Sequence, residues 1–63
     1  MEQSNATKLI IIMHKHRLFS HEVGILLNRA PETIRRYRNE TIKFSDELLS
    51  KLENCIKELE NAR

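Results

Sequence analysis

At 63 residues, of which 40% are hydrophobic and 32% charged, the chain can form one small domain and is too apolar for a disordered tail. Its formal net charge is +2, but residues 1–43 contain eight Lys and Arg against four acids, and residues 44–63 contain three against five. This size excludes an enclosed substrate pocket, and the basic first part indicates an anionic partner such as nucleic acid.

No group of side chains has the spacing of a catalytic or metal site. Cys55 is the only cysteine, which excludes a disulfide within the chain and indicates the reducing cytoplasm. His14 and His16 are two residues apart, on different sides of a helix, and no carboxylate or cysteine completes a site with them. The apolar run 9–13 is too short for a membrane span and lacks a signal-peptide cleavage pattern. We therefore expect no enzyme activity, metal, cofactor, small-molecule ligand or membrane contact.

The first predicted helix covers residues 6–17 and is capped by Ser4 or Asn5. Its buried face is expected to contain Leu9, Ile12, Met13 and His16. The apolar run also leaves Ile10 or Ile11 on a second face, so this helix can contact two neighbours.

Residues 20–27 and 31–39 have the pattern of two short helices joined by a tight turn. Ser20 is expected to cap the first of them, and Asn28 tolerates the left-handed conformation that ends it. Gly24, the only glycine, lies inside this helix, where it costs about 1 kcal/mol relative to alanine. We expect it to be small so that the second helix can cross the first closely.

The second helix of the pair begins with Pro31, whose fixed φ suits a first turn, and buries Ile34 and Tyr37. A helix-turn-helix places this helix in the major groove of DNA, where Arg can bind guanine and Asn adenine through two hydrogen bonds. Glu32 either reads a base or stabilises the positive end of the helix dipole. The predicted base-reading residues are Ala30, Pro31, Glu32, Arg35, Arg36 and Asn39.

Further polar side chains around the pair are placed for DNA phosphates, which supply affinity and register rather than sequence choice. The predicted phosphate-binding residues are Ser20, His21, Arg29, Arg38 and Lys43. A run of arginines is commonly a solvated surface. Arg35, Arg36 and Arg38, however, share a helix whose opposite side is apolar, which favours DNA contact.

The last predicted helix covers residues 45–61, with Ser45 as its N-cap. It covers the open side of the three-helix core, joins two protomers, or does both, with Leu48 and Leu52 packed inward and the other apolar residues outward. The predicted dimer residues, in 3-4-3 spacing, are Leu49, Leu52, Ile56 and Leu59. Residues 40–44 are the only candidate strand and are too short to build a sheet. The whole chain is thus expected to be one all-α, four-helix domain.

The segment Leu18-Phe-Ser-x-x-Val-Gly-x-x-Leu-Asn-x-Ala-Pro-Glu-Thr-Ile-x-Arg-Tyr resembles the helix-turn-helix of Cro and phage-repressor-type regulators. Its Pro-Glu-Thr-Ile-Arg-x-Tyr part is also similar to MerR-type recognition helices. The resemblance spans residues 9–40 and implies an all-α DNA-binding domain that binds a partly palindromic operator as a homodimer. Arg29 departs from the buried valine or isoleucine usual in the family, so the turn is either more open or filled from elsewhere. MerR proteins also have a wing, an effector domain and a long coiled coil, which none of the 63 residues supply.

The function that these observations favour is a small homodimeric transcriptional repressor of the phage or plasmid type. An excisionase-like accessory to recombination would use the same DNA-binding helix. A third alternative is a helical inhibitor or antitoxin-like module that binds another protein through the acidic last helix and the spare isoleucines.

Overall fold

The computed structural model describes residues 3–62, which form four α-helices and no β-strand. The helices are α1 (Asn5–His16), α2 (Ser20–Leu27), α3 (Pro31–Arg38) and α4 (Asp46–Asn61). The all-α, four-helix prediction is confirmed, and residues 40–44 adopt turns and irregular backbone instead of a strand. None of the helices in this described part is long and apolar enough to cross a membrane.

Serine hydroxyls cap the two outer helices of the chain. The Oγ atom of Ser4 accepts the backbone N–H of Thr7 at 3.1 Å, and the Oγ atom of Ser45 accepts that of Leu48 at 3.3 Å. Each bond satisfies one of the N–H groups that the first turn of a helix leaves without a backbone acceptor. Both predicted caps are therefore confirmed.

The inner helices agree with their predicted bounds to within one residue, but the cap of α2 and the last residue of α3 differ. Ser20 is not the N-cap of α2 but its first helical residue, since Phe19 occupies the cap position. The carboxylate of Glu22 accepts the backbone N–H of Phe19 at 3.0 Å and so fixes the start of the helix from inside its first turn. At the other end of the pair, α3 stops at Arg38, and Asn39 is its C-cap.

Three residues with left-handed backbone follow the first three helices, and none of them is glycine. Their φ values are 55° at Arg17, 57° at Asn28 and 61° at Glu40. In each case the next N–H donates back across the last turn, which is the Schellman arrangement. These bonds are Leu18 N to Met13 O (2.8 Å), Arg29 N to Gly24 O (2.8 Å) and Thr41 N to Arg36 O (3.0 Å).

All four helices contribute to one apolar core. Its buried members are Leu9, Met13, Val23, Leu27, Ile34, Tyr37, Phe44, Leu49, Leu52 and Ile56. Phe44 lies in the loop before α4, where its ring contacts that of Tyr37 at a centroid distance of 5.0 Å. Ile12 and His16, which the sequence placed in the core, are only half-buried.

The first and last helices run parallel and are joined at both ends. The side-chain amide of Asn5 donates to the backbone oxygen of Phe44 at 2.8 Å and to the carboxylate of Asp46 at 2.7 Å. At the opposite end, Nδ1 of His16 is 3.4 Å from the carboxylate of Glu60. This arrangement places α4 across the side of the core that α1, α2 and α3 leave open.

The burial pattern of α4 corrects the predicted dimer interface. Leu49, Leu52 and Ile56 are only 7%, 0% and 8% exposed because they pack into the core of their own chain. Of the four predicted residues, Leu59 alone is exposed, at 53%. A dimer interface built on all four residues would require the domain to open. The helix α4 therefore covers the core, which is one of the roles that the sequence predicted for it.

Candidate nucleic-acid interface

The turn between α2 and α3 is built from backbone hydrogen bonds at the end of α2. Asn28 takes the left-handed conformation, as predicted, and its N–H donates to the backbone oxygen of Ile25 at 3.3 Å. The N–H of Arg29 donates to Gly24 O at 2.8 Å. The two bonds reverse the chain within three residues, so that α3 begins at Pro31 directly beside α2.

Gly24 is small for a more local reason than the one predicted. A Cβ atom at this position would lie 2.5 Å from the backbone oxygen of Arg29 and 3.6 Å from the carbonyl carbon of Ala30. The obstacle is therefore the backbone of the turn, not a side chain on the crossing helix. Gly24 lets the turn fold back over α2, and this close approach fixes where α3 starts.

The third helix has one buried side and one exposed cationic side. Ile34 and Tyr37 are 0% and 6% exposed and anchor the helix to the core, as predicted. All the predicted base-reading residues are exposed, namely Ala30, Pro31, Glu32, Arg35, Arg36 and Asn39. The side of α3 that faces away from the core is therefore available along its whole length.

Beside α3 the structure contains an open groove of about 900 Å³, bounded by the end of α1, the beginning of α2 and one side of α3. Its polar lining is cationic or neutral, and no acidic side chain of residues 3–62 lines it. The polar lining residues are His14, Arg17, Ser20, His21, Arg35 and Arg38. Cationic side chains that converge in this way produce a strongly positive local potential.

Arg38 is the most enclosed of the groove arginines. Its Nε atom is buried and has no hydrogen-bond partner among the described residues. A buried guanidinium nitrogen without a partner is unfavourable. This atom is closed to solvent, so Arg38 lines the groove through its other atoms.

The predicted phosphate-binding residues separate into two sets. Ser20, His21 and Arg38 meet in the groove, together with Pro31 and Arg35 from the predicted base-reading set. Arg29 and Lys43 are exposed and do not line it. The guanidinium of Arg29 donates to the backbone oxygen of Asn28 at 3.1 Å, so this side chain lies along the turn and does not fill the core position that the resembled family gives to valine or isoleucine.

Two groove residues were missed by sequence reasoning. His14 lies in the last turn of α1, and Arg17 is the left-handed residue that follows it. Only the packing of α1 against α3 brings these residues beside the exposed cationic side of α3, and no local pattern reports that packing. The basic last turn of α1, with two histidines and a lysine before Arg17, is the one signal that could have suggested them.

Aromatic stacking fixes the orientation of one groove residue. The rings of Phe19 and His21 are nearly parallel, with an angle of 10° between their planes and a centroid distance of 6.0 Å. The side chain of Phe19 is 66% exposed, although phenylalanine is among the residues most often buried. The stack gives the imidazole of His21 a preferred position at the mouth of the groove.

The described residues offer little for other chemistry. No cluster of three or more His, Cys, Asp or Glu side chains that could hold a metal ion occurs among residues 3–62. Cys55 is half-buried on α4, and its Sγ atom lies 3.7 Å from the backbone oxygen of Leu26, within hydrogen-bond range for a thiol. It contributes to the α2–α4 contact.

Searches of family models, curated proteins and solved structures found no match to this chain.

Proposed function

We propose that this protein binds double-stranded DNA and reads its sequence by inserting α3 into the major groove. Within the proposal it acts as a small transcriptional repressor of the phage or plasmid type, and two copies bind a partly palindromic operator. The single observation that carries the proposal is the position of the cationic groove immediately beside the exposed side of α3. An adjacent positive groove is what a helix in the major groove needs, since the DNA backbone borders the bases on both sides.

The arginines of α3 divide between the two tasks. Arg36 is exposed and lies outside the groove, so its guanidinium is available for the O6 and N7 atoms of a guanine. Arg35 lies at the boundary, exposed and yet part of the groove lining. Asn39 extends the reading side at the end of the helix and can bind an adenine.

The experiment that tests the proposal is selection from a pool of randomised duplexes with the purified protein, followed by sequencing of the retained DNA. We expect an enriched motif. Two inverted half-sites about one helical turn apart would support the operator-binding homodimer, whereas tandem half-sites would favour the recombination accessory. Absence of any enrichment or DNA affinity, with the protein folded by circular dichroism, would contradict the proposal and favour the protein-binding alternative.

Substitution of the exposed arginines then tests the placement of α3. Arg36→Ala should weaken binding to the selected site by about 1–3 kcal/mol and relax the preference at one base position, because a bidentate guanine contact is lost. Arg35→Ala should weaken binding by a similar amount. The matched control is Lys51→Ala, which removes an exposed cation from α4 in a different surface depression. Equal affinities for the selected site in all three variants would show that another surface contacts the DNA.

A further inference from the structure

The groove contains two histidines in addition to its three arginines. His14 comes from the last turn of α1 and His21 from the first turn of α2, and both are exposed. Histidine is the one side chain that ordinarily gains or loses its charge between pH 5 and 8.

We propose that DNA binding by this groove is coupled to proton uptake, with His14 and His21 binding the DNA backbone as imidazolium ions. The inference rests on the proposed DNA-binding function and adds a regulation to it: affinity for DNA rises as pH falls. A phosphate bound by either ring favours its protonated form, since a nearby opposite charge stabilises the cation. Proton uptake on binding follows by linkage.

The charges around the two histidines favour this coupling. Arg17, Arg35 and Arg38 line the same groove as the two histidines, so a phosphodiester bound there would meet several cationic side chains. A bound phosphodiester offsets these cations and so makes protonation more favourable in the complex than in the free protein. Most of the proton uptake by the two histidines is then expected to accompany DNA binding, so that the affinity for DNA depends measurably on pH.

His14 lies in the last turn of α1 and His21 in the first turn of α2, where the free backbone N–H groups attract a phosphate. The Phe19 ring lies nearly parallel to the imidazole of His21 at a centroid distance of 6.0 Å.

Neither ring lies within 4.0 Å of a carboxylate among residues 3–62. Glu22 is the acid nearest to His21 in the chain, and its carboxylate accepts the N–H of Phe19. Within residues 3–62, a carboxylate lies within 4.0 Å of a histidine only at His16, whose partner is Glu60. His16 lines a different surface depression between α1 and α4, so it provides an internal control.

The test measures the affinity for a mixed-sequence duplex of about two helical turns by fluorescence anisotropy between pH 5.8 and pH 8.0 at constant ionic strength. The protein variants are the wild type, the double variant His14→Gln with His21→Gln, and the control His16→Gln. For each histidine that takes up a full proton, affinity should rise by about tenfold per unit decrease in pH. The dependence of affinity on salt should also steepen at low pH, because more counterions are released when more phosphates are neutralised.

The inference predicts a pH dependence in the wild type and in His16→Gln that is lost in the double variant. A wild type that binds DNA equally well at all pH values would overturn it, as would a double variant that keeps the full pH dependence. Absence of DNA binding at every pH would instead refute the proposed function, and the inference with it. Circular dichroism at each pH confirms that the compared proteins are folded.

Discussion

Replacement of Gly24 by alanine tests the structural role of the turn most directly. In an ordinary helix this change would stabilise the protein by about 1 kcal/mol, because alanine has the higher helix propensity. Here the new methyl group would lie 2.5 Å from the backbone oxygen of Arg29, whereas an ordinary contact needs at least 3.4 Å. The turn must therefore move by most of an ångström, and the hydrogen bond of 2.8 Å from Arg29 N to Gly24 O moves with it.

The expected magnitude follows from these opposing effects. Overpacking of this kind costs about 1–3 kcal/mol, occasionally more, and a weakened hydrogen bond adds about 1 kcal/mol. After subtraction of the gain in helix propensity, Gly24→Ala should lower the free energy of unfolding by about 1–3 kcal/mol. A domain of this size has only about 3–9 kcal/mol in total, so the loss would be a large part of its stability.

Urea denaturation followed by circular dichroism measures the effect. With an m value of about 1 kcal/mol per molar urea, the midpoint should fall by about 1–3 M. The matched control is Ser50→Ala, an exposed position on α4, where the same new side chain should raise stability by about 0.5 kcal/mol. An unchanged or increased midpoint for Gly24→Ala would refute the argument, because the turn would then be free to yield.

Two further predictions concern stability. Glu40→Gly should stabilise the protein by about 0.5–1 kcal/mol, because glycine adopts the left-handed conformation at φ 61° without strain. The control Glu53→Gly, on α4, should destabilise the protein by about 1 kcal/mol. Thermal unfolding compares the two variants, and equal effects on stability would refute the reasoning. Leu52→Ala should lower the free energy of unfolding by about 2–5 kcal/mol and Leu59→Ala by less than about 1 kcal/mol, because the first residue is 0% and the second 53% exposed. A Leu52→Ala protein of normal stability but altered sedimentation would restore the dimer interpretation of α4.

The sequence was most informative where local chemistry decides the structure. The spacing of apolar residues and the cap residues predicted all four helices. Ser4 and Ser45 offer hydroxyls to free N–H groups, and Pro31 suits a first helical turn. The bounds of α2 were predicted correctly but its cap was not, because Phe19 takes the cap position given to Ser20 and the carboxylate of Glu22, inside the helix, accepts the N–H of Phe19. A cap formed from within the helix is a weaker sequence signal than a cap residue just before it.

Features that depend on tertiary packing were beyond the reach of the sequence. The spacing of Leu49, Leu52 and Ile56 is equally suited to a core and to a dimer seam, and only the position of α4 across the domain decides between them. The cationic side of α3 could be predicted because all its members lie on one helix. His14 and Arg17 could not, since they join the groove through the packing of α1.

The link between the first and last helices has a consequence for how the domain assembles. The two hydrogen bonds of Asn5 bridge 39 and 41 residues of chain, whereas the α2–α3 contacts are local. Long loops close late because their entropy is lost before their contacts are gained. We therefore expect the helix-turn-helix to form in the folding nucleus and α4 to dock afterwards. Loss of the Asn5 hydrogen bonds should then accelerate unfolding and leave the refolding rate almost unchanged. The lifetime of the folded domain is therefore set by contacts far from the surface proposed to bind DNA.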